Sequence, residues 1–163
     1  MATKEKGSVY RILFVCLGNI CRSPAAHGIM EHLIAEKGLE ERFVVDSAGT
    51  YGGHAGELPD TRMRQHAAKR GYRLTHHSRP VRRADFEEFD LILAMDDANY
   101  SNLNRLAPDV ESTQKIVRMV DYCRNYPDDH VPDPYYGGAA GFEHVLDLLE
   151  DGCKNLLTDL LER

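Results

Sequence analysis

Four short apolar runs, at residues 11–15, 43–46, 91–95 and 115–120, alternate along 163 residues with stretches at 24–37, 60–70, 99–107 and 141–161 whose apolar side chains recur at helical spacing. Short apolar runs without polar alternation read as strands covered on both faces, and crossover helices between parallel strands supply that cover. The expected fold is therefore α/β, one domain over residues 1–163, with residues 1–8 a flexible N-terminal tail; the length suits one full hydrophobic core. The final helical stretch carries Phe142, Val145, Leu146, Leu149, Leu156, Leu157 and Leu160 on one stripe, the pattern of a core-facing helix.

In open parallel sheets, ligands bind beyond the carboxyl ends of the strands. The first run, YRILFV at residues 10–15, ends there on Cys16, and Cys16-Leu17-Gly18-Asn19-Ile20-Cys21-Arg22-Ser23 leads into the first helical stretch. Ser23 reads as the N-cap and Pro24 as the first helical position, followed by Ala26, Ile29, Met30, Leu33 and Ile34 at helical spacing. A Cys-x5-Arg spacing alone would arise by accident in such a composition about a third of the time; the strand before it and the helix after it give it meaning. At a helix start the first N–H groups lack partners and the macrodipole is positive, so successive loop amides can hold a phosphate dianion. Gly18 lets the backbone approach closely, and the same field favours thiolate over thiol at Cys16. The planar fork of Arg22 can pair with two phosphoryl oxygens and stabilise charge in the transition state.

Residues 15–24 (VCLGNICRSP), with Asp133-Pro134-Tyr135-Tyr136 far downstream, resemble the low-molecular-weight protein tyrosine phosphatase family. The segment Asp46-Ser47-Ala48-Gly49-Thr50 and residues 91–97 (LILAMDD) are similar to that family too. The resemblance implies a three-layer, flavodoxin-like sandwich with a central four-stranded parallel twisted sheet of order 2-1-3-4. It also implies hydrolysis of phosphotyrosine in proteins, and of aryl phosphates, through a phosphocysteine on Cys16. Arg22 would bind phosphate, and Asp133 would protonate the leaving group and then accept a proton from water. Residues Leu17, Gly18, Asn19, Ile20, Cys21, Arg22 and Ser23 would form the phosphate-binding loop. Ser23 would offer its hydroxyl to Cys16, and Asn19 would hold a strained loop conformation braced by Ser47 and His76. Cys21 could close a reversible, protective disulfide with Cys16. Tyr135 and Tyr136 would wall the pocket on one side. Opposite them the family often has a large aromatic residue, where this chain reads Tyr51-Gly52-Gly53-His54 and has no tryptophan, so Tyr51 is expected to take that place from a shifted position.

A net charge of −6 argues against nucleic-acid or anionic-membrane partners. The first ten residues lack an apolar signal segment, and the run after them is too short to span a bilayer, so a cytoplasmic location is expected. The four cysteines form no Cys-x-x-Cys pair and the eight histidines show no metal-ligand spacing; no metal or cofactor is expected, since thiolate chemistry needs none. The expected partners are phosphotyrosine-containing proteins, with inorganic phosphate or other oxyanions as product or inhibitor, acting on a monomer. Two alternatives remain: a thioredoxin-coupled arsenate reductase, for which this chain lacks a cysteine between Cys21 and Cys123, and a non-catalytic phosphotyrosine-binding module.

Overall fold

The computed structural model describes residues 8–135 and 137–163; residues 1–7, nearly all of the expected tail, lie outside them. The strands are β1 (Tyr10–Cys16), β2 (Phe43–Gly49), β3 (Leu91–Ala94) and β4 (Ile116–Arg118). They form one parallel sheet in the order β2-β1-β3-β4, as expected. The helices among the described residues are α1 (Arg22–Glu36), α2 (Thr61–Lys69), α3 (Asp85–Glu88), α4 (Asp97–Leu106), α5 (Val110–Thr113) and α6 (Ala139–Leu161).

The period of two along β1 divides its side chains between two cores. Ile12, Phe14 and Cys16 face the layer that holds Ile29 and Met30 of α1, Met63 of α2 and the stripe from Phe142 to Leu160 of α6. Leu13 and Val15 face Phe86, Phe89 and Leu103 on the other side. A run apolar at every position is thus explained by helices on both faces. Each large side chain buried this way contributes roughly 1.5–3 kcal/mol.

Carboxylates cap α2, α4 and α5, whereas α3 and α6 start without a side-chain cap. Asp60 caps α2 by accepting the N–H groups of Arg62 and Met63, and Asp96 caps α4 by accepting that of Asn99. The start of α1 differs from expectation. The helix begins at Arg22, Cys21 occupies the N-cap without a side-chain cap, and Pro24 is the third helical residue. Ser23 is not a cap because its hydroxyl is committed to the preceding loop. β2 runs on to Gly49, so Ser47 lies inside a strand. β4 is only three residues long and passes into a 3-10 turn at Met119–Tyr122. The short helices α3 and α5 had no apolar periodicity long enough to announce them.

Candidate active site

β1 delivers Cys16, 3% exposed, to the floor of a loop that climbs back into α1. Asn19 turns that loop with φ 56°, the one non-glycine residue of positive φ among those described. Its amide explains how the conformation holds. Nδ2 donates to Ser23 Oγ at 2.7 Å, and Oδ1 accepts the backbone N–H of Arg79 at 3.1 Å. An oxygen that accepts a backbone N–H fixes which way the amide faces, so His76 Nε2, 3.1 Å from the same oxygen, carries the proton. Ser23 Oγ lies 3.0 Å from Cys16 Sγ and 3.4 Å from the Ala48 carbonyl. Asn19 already donates to that hydroxyl, so its one hydrogen is left for the sulfur or for the Ala48 carbonyl, of which the sulfur is nearer. The end of β2 presses on the loop from the side: a Cβ on Gly49 would sit 2.6 Å from the Leu17 carbonyl oxygen.

Arg22 is 3% exposed and held from behind, with Nη1 donating to Asp96 Oδ2 at 2.7 Å and to the Val131 carbonyl at 3.0 Å. Burial works against its charge, but Cys16, Asp96 and Asp133 outweigh it and raise its pKa above the ordinary value. Nη2 lies 3.8 Å from Asp133 Oδ2. Asp133 is exposed in the loop before α6, its Oδ1 accepting the Tyr135 N–H at 3.0 Å. A buried guanidinium, a sulfur and an exposed carboxylate therefore converge on one cavity of about 260 Å³, which Leu17, Tyr51, His54 and Tyr135 also line.

Tyr51 is 56% exposed and meets His54 edge-on, with ring centroids 6.2 Å apart. It lies across Gly53, where a Cβ would fall 2.1 Å from the tyrosine hydroxyl. Tyr135 also lines the cavity, and the Arg62 guanidinium is 5.3 Å from its ring centroid and 4.9 Å from that of Phe142. Tyr136 lies outside the described residues. Cys21 is buried beside the loop with a free thiol, which burial, then Asp60 and Cys16, push far above its usual pKa. Ser47 is the one expected brace that does not reach Asn19; its hydroxyl is hydrogen-bonded to His27 Nδ1 at 3.1 Å.

The sequence reading missed Asp96, which anchors Arg22, and Arg79, whose N–H fixes Asn19. Asp96 had a signal, an acidic residue just past the carboxyl end of a strand. Arg79 had none, since its contribution is a main-chain group and its side chain is spent on Asp46 and Asp85.

Residues 11–163 match the family model described as low molecular weight phosphotyrosine protein phosphatase. A Synechocystis sequence assigned to the low molecular weight protein-tyrosine-phosphatases is 54% identical over 150 residues, covering 92% of this chain and 96% of that one. A low molecular weight protein-tyrosine-phosphatase of Streptomyces coelicolor is 40% identical over 156 residues, 94% and 95% of the two chains. Among solved structures, a protein tyrosine phosphatase from Entamoeba histolytica with Hepes in its active site superposes with a TM-score of 0.91 at 49% identity, over 94% of this chain and 97% of that one.

Proposed function

The chain belongs to the low molecular weight phosphotyrosine protein phosphatase family and is an enzyme of the protein-tyrosine-phosphatase type, and from that premise we propose a two-step hydrolysis of phosphotyrosine in proteins through a phosphocysteine on Cys16. The phosphoryl group sits on the amides of residues 17–23. Arg22, held by Asp96, pairs with its equatorial oxygens. Cys16 attacks phosphorus, with Ser23 donating its hydroxyl hydrogen to the sulfur as a thiolate. The P–O bond to the leaving group breaks, and Asp133 protonates the departing phenoxide. Water then attacks phosphorus, giving its proton to the Asp133 carboxylate. The S–P bond breaks, and inorganic phosphate leaves with the thiolate restored. No metal or cofactor enters either step.

The observation that carries this reading is the convergence of Cys16 Sγ, the buried Arg22 and Asp133 on one cavity at the end of β1. Tyr51 and Tyr135, both lining that cavity, suit an aromatic ring. A thioredoxin-coupled relay is disfavoured by the remaining cysteines. Cys153 is fully buried on α6, and burial followed by Asp151 and Asp128 pushes the Cys123 thiol up to about 11. No helix among the described residues is long and apolar enough to cross a membrane. A free-thiol nucleophile suits a reducing compartment, and we place the protein in the cytoplasm as a monomer.

The test is release of inorganic phosphate from a phosphotyrosine peptide, with reductant and EDTA present, by the wild type and Cys16→Ser in parallel. Turnover that persists in EDTA and vanishes in the variant is the expected result. No turnover by the wild type would overturn the proposal, and an arsenate assay with thioredoxin would then decide between reduction and mere binding.

A further inference from the structure

Behind the phosphate-binding loop, on the far side of Asn19 from Cys16, two imidazoles stand side by side. His27 of α1 and His76 have ring centroids 5.0 Å apart, and one ligand atom each from His27, His76 and Asp46 lie within 4.8 Å of one another. The hydrogen bonds assign the nitrogens. His76 Nε2 is the N–H that donates to Asn19, so in the neutral ring Nδ1 carries a lone pair, and that nitrogen faces Asp46 Oδ1 at 3.4 Å. His27 Nδ1 is bonded to Ser47 Oγ, and its Nε2 faces Glu31 Oε1 at 3.2 Å. Each imidazole thus has one nitrogen tied to a fixed polar group and the other turned toward a carboxylate. A lone pair facing an anionic oxygen calls for a proton or a metal ion between them. Two protonated rings in contact would repel, whereas one dication serves both. A metal-ligating histidine usually donates its second N–H to a fixed acceptor, the part Asn19 plays for His76.

We infer that His27, His76 and Asp46, with Glu31 beside His27, form a binding site for a divalent transition metal of the zinc type, distinct from the catalytic cavity. Two imidazoles with carboxylates are a zinc donor set. Tetrahedral zinc sets its ligand atoms roughly 3.4 Å apart, so the widest pair must close by up to about 1.4 Å. A cavity of about 230 Å³ lined by His27, Glu31 and His76 gives the ion a way in; Arg73 also lines it and opposes entry. Arg79 keeps to Asp46 Oδ2 and to Asp85, while Asp46 Oδ1 accepts the Ser47 N–H at 2.8 Å and has its second lone pair for the ion beside His76. Zinc on Nδ1 would lock the tautomer that donates to Asn19, and so stiffen the brace under the loop. The proposal stands whether or not Cys16 is the nucleophile.

The test uses Cys16→Ser protein, which removes the competing thiolate. Calorimetric titration with zinc chloride should show one equivalent bound, and adding His27→Gln should weaken it at least tenfold. In the ¹⁵N spectrum of the histidine side chains, zinc should shift His27 and His76 and leave the other imidazoles in place; this readout needs no change at position 27. Loss of binding in Cys16→Ser, unchanged affinity in His27→Gln, or shifts confined to other histidines would each overturn the proposal.

Discussion

Asp96 does two jobs with two oxygens, and that makes Asp96→Asn the most informative substitution. Oδ1 caps α4 by accepting the Asn99 N–H at 2.8 Å, and Oδ2 accepts from Arg22 Nη1 at 2.7 Å. An asparagine has a single oxygen. If it keeps the cap, its NH₂ faces the NH of Arg22, donor against donor, and the guanidinium retains only the Val131 carbonyl behind it. A hydrogen bond to a charged group is worth about 1.5–3 kcal/mol, or roughly 10- to 150-fold in an equilibrium or rate. If the arginine loses its anchor, kcat/KM for a phosphotyrosine peptide should fall by that factor. The melting temperature should drop by roughly 3–12 °C, at about 2–4 °C per kcal/mol for a chain of this size. Saturating inorganic phosphate should recover part of the drop, because the dianion gives Arg22 a new negative partner. Asp96→Ala separates the two jobs, since it loses the cap as well, about 1 kcal/mol more, without the donor clash. The reasoning is refuted if Asp96→Asn leaves kcat/KM within twofold of the wild type, for then Asp96 only caps α4.

Three more substitutions probe the rest of the site. Asp133→Ala should slow hydrolysis of phenyl phosphate by about 10²–10⁴-fold but that of nitrophenyl phosphate far less, because a good leaving group needs little protonation; equal losses would remove Asp133 from the acid role. Gly49→Ala places a methyl 2.6 Å from the Leu17 carbonyl and 3.1 Å from the Asn19 nitrogen, so it should cost about 1–3 kcal/mol and lower kcat by moving the loop, with ordinary activity the contrary result. Asp85 is fully buried; burial alone would raise its pKa, but Arg79 and the Arg82 N–H hold it below the usual carboxylate range. Its contribution is then complete above the unfolded-state pKa of about 3.9 and lost as pH falls below it. Denaturation midpoints should decline below about pH 4 in the wild type, and Asp85→Asn should be less stable at neutral pH by about 3–5 kcal/mol with a shallower acid limb. An acid limb of unchanged steepness would assign the titration elsewhere.

The layers of the fold were legible because they rest on local periodicity: β1 is apolar at nearly every position, and that pattern requires helices on both sides. The loop proposed to bind phosphate was legible because its members are contiguous in sequence. Other parts depend on partners 20 to 109 residues away. Arg22 meets Val131, Asn19 meets His76 and Arg79, and His27 meets Ser47, each pair joined only by the winding of the chain around the sheet. The histidines of the inferred zinc site escaped any spacing rule for this reason: His27 belongs to a helix, Asp46 to a strand and His76 to a loop.

A second cause of illegibility is that a sufficient local explanation hides a distant one. Ser23 before Pro24 satisfies the pattern of an N-cap, yet its hydroxyl is turned back to Cys16 and Asn19. Asp96 satisfies the same pattern at α4 and does cap it, yet its second oxygen holds Arg22, the arginine proposed to bind phosphate. In the first case the local reading is displaced, and in the second it is true and incomplete. What separates them is the number of hydrogen-bonding atoms. A carboxylate has two oxygens, and here one is left to face the site after the cap is made. The Ser23 hydroxyl is a single oxygen, already shared between Cys16 and Asn19. At the carboxyl edge of a parallel sheet, a capping aspartate therefore has one oxygen to spare for the arginine that faces the ligand, and a capping serine has only its hydroxyl hydrogen left to give.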